Sequence, residues 1–465
     1  AIDSWSKISQ IDASHFDINT AYIAVNRIRL DNQKPHIYRT TDGGTSWQEI
    51  VSGLPDGPVN TVKEDPQKRG LLFAGTELAV FFSLNDGNSW QPLRLNMPAT
   101  SIRDLVVHND DVVVGTHGRS FWILDDITPL RQAGETVTNS AAYLFAPQVA
   151  YRVQRNVNTD TPLPPEEPAG QNPPDGAIIN YYLKENPKTP ITLEVIDKNG
   201  QVIRRFSSDD KPFPINPTDY AVPEYWFRPP QVLVAKPGMQ RFVWDLKYAP
   251  PAAFGHGFPI SAIYRDTPLY PLGPSVMPGV FTIKLTANGK TLTQQLTVKM
   301  DPRVTATADD LMTQFTLSLD AYKGMQQTFD AVEEIGKMRA QIKKILDDGV
   351  RRPDRGPVSD ALSELDKKAA ALGGEGRGDG GSPGLPGGTI DMREPNLTRL
   401  NNGFSSLLED LQSADRAPTQ PMLTAATELQ NILKKLLSDW EALKTTKVAA
   451  INEQLRTAKQ PLLNP

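Results

Sequence analysis

The sequence predicts a multidomain chain, mainly β and then α: partial β-propeller blades, an Ig-like antiparallel β-sandwich and a C-terminal antiparallel helical bundle. Three observations carry that reading. Near the N-terminus a Ser-Trp pair recurs, with Trp5, Trp47 and Trp90 spaced by 42 and 43 residues. Period-two alternation punctuated by Asn-Gly turns fills the middle of the chain, as half-buried strands require. Beyond Asp301-Pro302-Arg303 the apolar spacing changes to three and four, the pattern of amphipathic helices. At 465 residues the chain exceeds one ordinary core, which suits two to four domains.

The repeats occupy residues 1–126. Around Trp47 the sequence reads Thr40-Thr41-Asp42-Gly43-Gly44-Thr45-Ser46-Trp47, and around Trp90 it reads Ser83-Leu84-Asn85-Asp86-Gly87-Asn88-Ser89-Trp90. Asp42 and Asn85 are placed to accept hydrogen bonds from backbone N–H groups of a turn. Gly44 and Gly87 supply the positive φ such a turn needs, and each Trp folds back as an apolar plug between neighbouring sheets. Strand-like runs at Ile37–Thr40, Leu71–Gly75, Val80–Ser83 and Asp111–Gly115 surround the turns. A unit of about 43 residues with four short strands is the size of a propeller blade. Ser4-Trp5 reads as the tail of a third copy, so the region holds the last two to three blades. Closed propellers have about four to eight blades. The remaining blades are therefore expected upstream or on another chain, on the order of 200 residues for a seven-bladed ring. Ala1 is neither an initiator Met nor part of a signal peptide, so the chain reads as processed or as a fragment.

Both turns fit Ser/Thr-x-Asp/Asn-x-Gly-x-Ser/Thr-Trp and resemble the Asp-box, or BNR, repeat. The stretch Val112-Val113-Val114-Gly115-Thr116-His117-Gly118-Arg119-Ser120-Phe121-Trp122-Ile123-Leu124-Asp125-Asp126 resembles the last blade of large bacterial BNR-repeat proteins, described as sortilin-like or glycosyl-hydrolase-like. Asn172-Pro173-Pro174-Asp175-Gly176-Ala177, Phe242-Val243-Trp244-Asp245-Leu246 and Met300-Asp301-Pro302-Arg303 carry the resemblance through most of the chain. It fades in the last hundred residues. The resemblance implies a protein that is secreted, periplasmic or at the bacterial cell surface, with one or two propellers followed by an Ig-like module. It also implies that the Asp-box residues Thr40, Asp42, Gly44, Ser46, Trp47, Ser83, Asn85, Gly87, Ser89 and Trp90 are structural, on the periphery and away from the ligand face.

Residues 127–175 read as a connector, extended where Pro162, Pro164, Pro165, Pro168, Pro173 and Pro174 crowd together, because proline excludes helix. The sandwich is expected over residues 176–303, with strands at Ala177–Leu183, Ile191–Asp197, Gln201–Phe206, Gly238–Leu246, Gly279–Ala287 and Leu292–Lys299. Lys198-Asn199-Gly200 and Ala287-Asn288-Gly289-Lys290 read as hairpin turns. Long loops rich in proline and aromatics span 208–236 and 248–277. Residues 304–465 form the bundle, with long helices at 308–348 and 420–458, the second carrying a short skip before Ile451 and Leu455. Shorter helices at 358–372 and 397–413 run back between them, and Thr307 or Ser359 are candidate caps. The Gly-rich stretch 373–388 lacks the apolar residues to bury a core and reads as a flexible loop.

Composition narrows the functions. A net charge of -5 on this length argues against nucleic acid or anionic membrane as main partner. No apolar run reaches the length of a membrane span. Zero cysteines remove disulfides, thiolate metal sites and a cysteine nucleophile. No cofactor and no metal is expected: His256, in Phe254-Gly255-His256-Gly257-Phe258, has no second histidine nearby. Neither a phosphate loop nor a nucleophile elbow is present.

His117 and Arg119 are the candidate ligand-binding pair, since His shuttles protons and Arg clamps carboxylates; the competing reading is a blade-closing turn. Arg27, Arg29, Arg103 and Arg119 are available for a sialidase-like arginine cluster but complete no set. Asp104, Asp125 and Asp126 are available for a two-carboxylate mechanism, and nothing in their spacing singles them out. Arg377-Gly378-Asp379 sits in the Gly-rich stretch as a chance match, and Asn396-Leu397-Thr398 fits a glycosylation sequon. Catalytic residues stay unassigned. The sequence favours a non-catalytic binding or scaffold component, holding a peptide, glycan or protein ligand on the propeller face and using the helical bundle to form oligomers. The alternative is a glycoside hydrolase, sialidase-like or xyloglucanase-like, with its catalytic residues on blades outside this chain.

Overall fold

A computed structural model describes residues 2–154, 166, 170–220, 223–259, 265–349, 357–374 and 394–464. The chain is mainly β and then α. It opens with three antiparallel meanders. The first joins β1 (Lys7–Ala13), β2 (Ala21–Asn26), β3 (Ile37–Thr40) and β4 (Gln48–Glu49) in sequence order. The second joins β5 (Val59–Glu64), β6 (Leu72–Thr76), β7 (Val80–Ser83) and β8 (Gln91–Pro92), and the third β9 (Ile102–His108), β10 (Asp111–Thr116) and β11 (Phe121–Leu124). Their registers repeat. The first strand of each sheet carries an irregularity after Ile8, Val59 or Ile102, and the residue three further on pairs as Ile11 with Ile23, Val62 with Ala74, and Leu105 with Val114.

The meanders stack face to face in series. Tyr22, Ala24 and Ile37 of the first sheet close over Val59, Val62, Leu72 and Ala74 of the second in one buried cluster. Leu71, Phe73 and Val80 of the second then close over Ile102, Leu105, Val112 and Val114 of the third. Gly75 marks how tight the second junction is: a Cβ there would lie 2.6 Å from both Ile102 and Thr61, closer than packed carbons tolerate.

Two short helices, α1 (Thr128–Gln132) and α2 (Glu135–Asn139), follow within the stretch read as a connector; Pro162, Pro164, Pro165 and Pro168, where it reads as extended, lie outside the described residues. That stretch also donates two strands to the next layer. β12 (Ala142–Leu144) pairs with β14 (Ala177–Leu183), which pairs with β17 (Gly238–Trp244). The facing sheet runs β13 (Ala150–Arg152), β19 (Lys290–Met300), β18 (Gly279–Ala287), β15 (Thr192–Ile196) and β16 (Val202–Ser207). Ile179, Tyr181, Phe242 and Trp244 from one sheet and Leu193, Val195, Ile283, Leu285 and Leu296 from the other share one buried core. The Asn-Gly turn between β18 and β19 holds both central residues at positive φ, Asn288 at 51° and Gly289 at 74°, the geometry of a two-residue hairpin.

The helical region is built on α3 (Ala308–Gly349). Thr307 caps it reciprocally: its hydroxyl accepts from the Asp310 N–H at 3.1 Å, and its own N–H donates to the Asp310 carboxylate at 3.0 Å. Next come α4 (Pro357–Gly373) and α5 (Leu397–Gln412). Ile335 lies against Gly373 while Arg339 meets Asp366, and Gln314 donates to the Leu411 carbonyl while Asn401 donates to Thr328, so both shorter helices run antiparallel to α3. Ser359 lies inside the first turn of α4, where its carbonyl accepts from the Ser363 hydroxyl, and it does not cap. α6 (Gln420–Ala442) returns parallel to α3, with Gln430 donating to the Asp320 carbonyl at 3.3 Å and Trp440 donating to Glu334 at 2.7 Å. A π-helical turn over Leu443–Val448 leads into α7 (Ala449–Thr457). The wider turn accounts for the skip in apolar spacing, since it keeps Val448, Ile451 and Leu455 on the buried face despite the extra residue. Gly373 closes α4, and Gly374 takes the left-handed region at φ 83°; the rest of the Gly-rich stretch, with Arg377-Gly378-Asp379, lies outside the described residues.

Candidate functional site

The two Trp-ended turns have the same wiring. In the first, the Gly44 N–H donates to the Thr40 hydroxyl at 2.9 Å, and the Ser46 N–H and hydroxyl donate to the Asp42 carboxylate at 2.9 and 2.6 Å. In the second, the Gly87 N–H donates to the Ser83 hydroxyl and the Ser89 N–H to the Asn85 side-chain oxygen, each at 2.9 Å. The hydrogen bonds from the Ser46 hydroxyl and N–H hold the Asp42 carboxyl down at about 2. These hydrogen bonds close each turn on itself, and the second turn is also tied to the first sheet, the Asp86 carboxylate accepting from Arg39 at 2.6 Å.

Trp90 is 4% exposed, packs within the cluster between the first two sheets, and its indole N–H donates to the Ile50 carbonyl at 2.8 Å. Trp47 is half-buried against Ile23, Val25 and Tyr38. Trp5 departs from the pattern, standing 91% exposed at φ 67°. It precedes β1 by two residues, whereas Trp47 and Trp90 each precede the next sheet's first strand by 12, at Val59 and Ile102. Its spacing from Trp47 reflects the longer connection between β2 and β3, not a third turn.

His117 and Arg119 lie exposed on the turn between β10 and β11, at one end of the third sheet. The backbone holds this turn: the His117 N–H donates to the Ser101 carbonyl at 2.9 Å, and the Arg119 N–H to the Thr116 hydroxyl at 3.1 Å. Neither side chain makes a hydrogen bond among the described residues. Beside them runs a polar seam that the sequence did not reveal. Asn26 donates to Asn60, Asn60 donates to Glu77 at 3.0 Å, and Arg103 donates to Glu77 at 3.1 Å, crossing all three sheets. Burial works against ionising Glu77, but neighbouring Ser101 and Asn60 and the charges of Arg103 and His117 hold its carboxyl below the ordinary range. Asn26 ends β2, Asn60 and Arg103 lie at the starts of β5 and β9, and Glu77 follows β6, so the antiparallel pairing brings all four to one end of the sheets, a coincidence visible only once the three sheets are in register.

The other candidates disperse. Arg27 pairs with Asp3 and approaches His36, Arg103 belongs to Glu77, and Arg29 is exposed on a single helical turn. The Asp104 carboxylate accepts from the Leu105 N–H at 2.9 Å. Asp126 is buried; one oxygen accepts from Thr128 and the other from Asn180 at 2.6 Å. The Asp125 carbonyl accepts from Arg241 at 2.9 Å. His256 packs against Phe213, the rings tilted by 32° with centroids 4.6 Å apart, and burial pulls its imidazole below the usual range. No cluster of three or more metal-ligating side chains occurs among the described residues. Asn396 caps α5, its side chain accepting from the Arg399 N–H at 2.9 Å.

A further group of buried charges lies between the β-sandwich and the helices. Arg152 of β13 forms a buried ion pair with Asp415 and donates to the Val276 carbonyl at 2.9 Å. Nearby, burial pushes the Asp245 carboxyl up, against the pull of Arg204 and Lys247, and draws the Lys247 ammonium down. That ammonium donates to the Ser275 hydroxyl at 2.7 Å. On α5, burial raises the Glu409 carboxyl to about 7.

No family model matches the sequence, and neither does any curated protein. Solved structures give weak likenesses. An ancestral GH74 enzyme shares 21% identity over 24% of this chain and 14% of its own, with a TM-score of 0.21. The GH74 enzyme of Niastella koreensis shares 19% over 26% of this chain and 21% of its own, at 0.22. The extracellular domain of a hybrid two component system from B. thetaiotaomicron shares 8% over 61% of this chain and 30% of its own, at 0.19. The chain spans less than a third of the length of each. TM-scores this low assign neither fold nor activity.

Proposed function

We propose that this chain is a non-catalytic binding or scaffold component of the bacterial cell envelope or exterior, its meanders being consecutive blades of a β-propeller. In this reading residues 1–126 are the blades, 127–175 the connector, 176–303 an Ig-like module and 304–465 an assembly bundle. The observation that carries it is the contrast at the sheet ends. His117 and Arg119 hold exposed side chains with no hydrogen bond among the described residues, whereas Asp104, Asp126 and Glu77 are committed to neighbouring backbone, Asn180 and Arg103. An exposed imidazole beside a guanidinium suits recognition of an acidic or hydroxyl-rich ligand, peptide or glycan. Glycoside hydrolysis instead needs one carboxyl protonated and a second across a cleft. No helix among the described residues is long and apolar enough to cross a membrane.

The test is a glycan and acidic-peptide array probed with the protein, its His117→Ala and its Arg119→Ala variants, run beside a sugar-release panel. Binding that falls at least tenfold in both variants, without sugar release, supports the reading. Release of reducing sugar from polysaccharides or sialosides would replace it with a glycoside hydrolase. Binding unchanged in both variants would remove His117 and Arg119 from the ligand site and with them the observation that carries the reading.

A further inference from the structure

The first strand of each meander carries the same irregularity at the same place. Pairing passes from Ile8 to Gln10 in β1, from Val59 to Thr61 in β5 and from Ile102 to Asp104 in β9. Ser9, Asn60 and Arg103 are therefore the extra residues of three equivalent bulges, a device that re-aims a side chain. Asn60 turns into the polar seam, where it accepts from Asn26 and donates to Glu77, and Arg103 turns to the same Glu77 oxygen, Oε1. These pairs lie at the two internal junctions, each with a sheet on either side, so they do not depend on what adjoins the stack. The seam opens toward the His117 turn. The Glu77 side chain is 22% exposed and that of Arg103 49%, and the charge of His117 bears on Glu77 as that of Arg103 does. The two turns share one fastening: the His117 N–H donates to the Ser101 carbonyl at 2.9 Å, and the Thr100 N–H donates at 3.1 Å to the carbonyl of Leu78, beside Glu77.

We propose that Glu77 is a specificity-determining residue at the His117 and Arg119 end, selecting uncharged, hydroxyl-bearing ligands (neutral glycans) over acidic ones. This rests on reading that end as the ligand site. The argument is the balance of donors and acceptors. An ionised carboxylate only accepts hydrogen bonds and a guanidinium only donates them. Held 3.1 Å apart and both partly open, Glu77 and Arg103 match a group that supplies protons as well as lone pairs, which a hydroxyl does. The carboxylate, phosphate or sulfate of an acidic ligand supplies lone pairs alone. It would meet Arg103 already engaged and Glu77 of like charge, a repulsive element of the kind that builds specificity. Glu77 is in the right state for this. Burial opposes its ionisation, but the hydrogen bonds and charges around it keep the carboxyl below its ordinary range. It therefore serves as an acceptor at neutral pH and not as an acid.

The test is an array of matched glycans, each in a neutral form and in a form carrying a carboxylate or sulfate, together with acidic peptides. The protein is expected to prefer the neutral forms. Glu77→Gln keeps the length of the side chain and loses its charge. It should move the ratio of neutral to acidic binding toward acidic ligands by about tenfold or more, the worth of a hydrogen bond to a charged group. Arg103→Gln removes the compensating charge and should move the ratio the other way, which keeps the proposal testable where Glu77→Gln unfolds the junction. A Glu77 that only fastened the sheets would scale both forms equally, because a loosened junction has no preference for charge. Equal scaling in both variants, or a wild type that prefers acidic glycans or acidic peptides, would overturn the proposal and leave the His117 and Arg119 site standing. Binding unmoved by His117→Ala and Arg119→Ala, or no binding to any glycan or peptide, would remove that site and the proposal with it.

Discussion

Trp90→Ala should open the junction between the first two sheets, and the equivalent Trp47→Ala should not. Trp90 is buried between the sheets and its indole donates to the Ile50 carbonyl. Truncating a buried aromatic costs about 3–5 kcal/mol, and stranding a buried acceptor adds about 1 kcal/mol. Trp90→Phe keeps most of the ring and loses the hydrogen bond, a cost of about 1–2 kcal/mol. Trp47 is half-buried and covers only Ile23, Val25 and Tyr38, so its truncation should cost about 1–2 kcal/mol. Global melting of a chain with several cores is not two-state. The assay is therefore hydrogen exchange resolved to the amides of β5 to β7. Equal costs at Trp47 and Trp90, or a Phe variant as damaging as Ala, would refute the claim that the tryptophans differ through their neighbouring sheets.

Three further outcomes are expected. Because the Asp42 carboxyl is lowered to about 2, its contribution is present above the ordinary carboxylate range and is lost as pH falls toward 2. Exchange of the Ser46 amide should therefore accelerate on acidification relative to the Ser89 amide, whose acceptor Asn85 does not titrate, and Asp42→Asn should abolish the difference. Glu409, raised to about 7 by burial, favours the folded state below its ordinary value of 4.5 and loses that contribution as pH rises through 7. Glu409→Gln should leave stability to denaturant unchanged at pH 4 and raise it at pH 8, by at most about 3 kcal/mol, since each tenfold change in proton affinity is worth about 1.4 kcal/mol. Removing only Arg152 from its buried pair with Asp415 should cost about 3–5 kcal/mol, and Arg152→Met with Asp415→Leu should recover most of it, read as calorimetric separation of the sandwich from the helices.

What the sequence conveys well is what one stretch of chain decides by itself. The Asp42 and Asn85 turns close on their own hydroxyls and amides, so their spelling suffices. The Asn288-Gly289 hairpin and the spacing along α3 and α6 are local in the same sense, and the π-turn showed as a skip. Trp5 misled because equal spacing does not mean equal placement: the period of 42 residues was made by a longer connection between β2 and β3. β12 and β13 were read as connector because three-residue strands have too little length to show alternation.

The candidate site was less legible, for a related reason. Asp104 and Asp126 are alike as acids in a list, yet Asp104 is exposed and accepts only from the backbone beside it, whereas Asp126 is buried on a partner 54 residues away, Asn180; Glu77 gains its meaning in the same way from Arg103. The same dependence hides the open faces. Ile11 and Val62, or Phe121 and Val80, are alike as letters and alike in register, yet one of each pair is buried and the other is not. Only the position of a sheet in the stack separates them. A sheet at either end carries a surface shaped by the same repeat as its neighbours but without a sheet against it. The burial of a residue in a repeated unit is therefore read by comparing the copies with one another, position by position, more readily than from the identity of the residue.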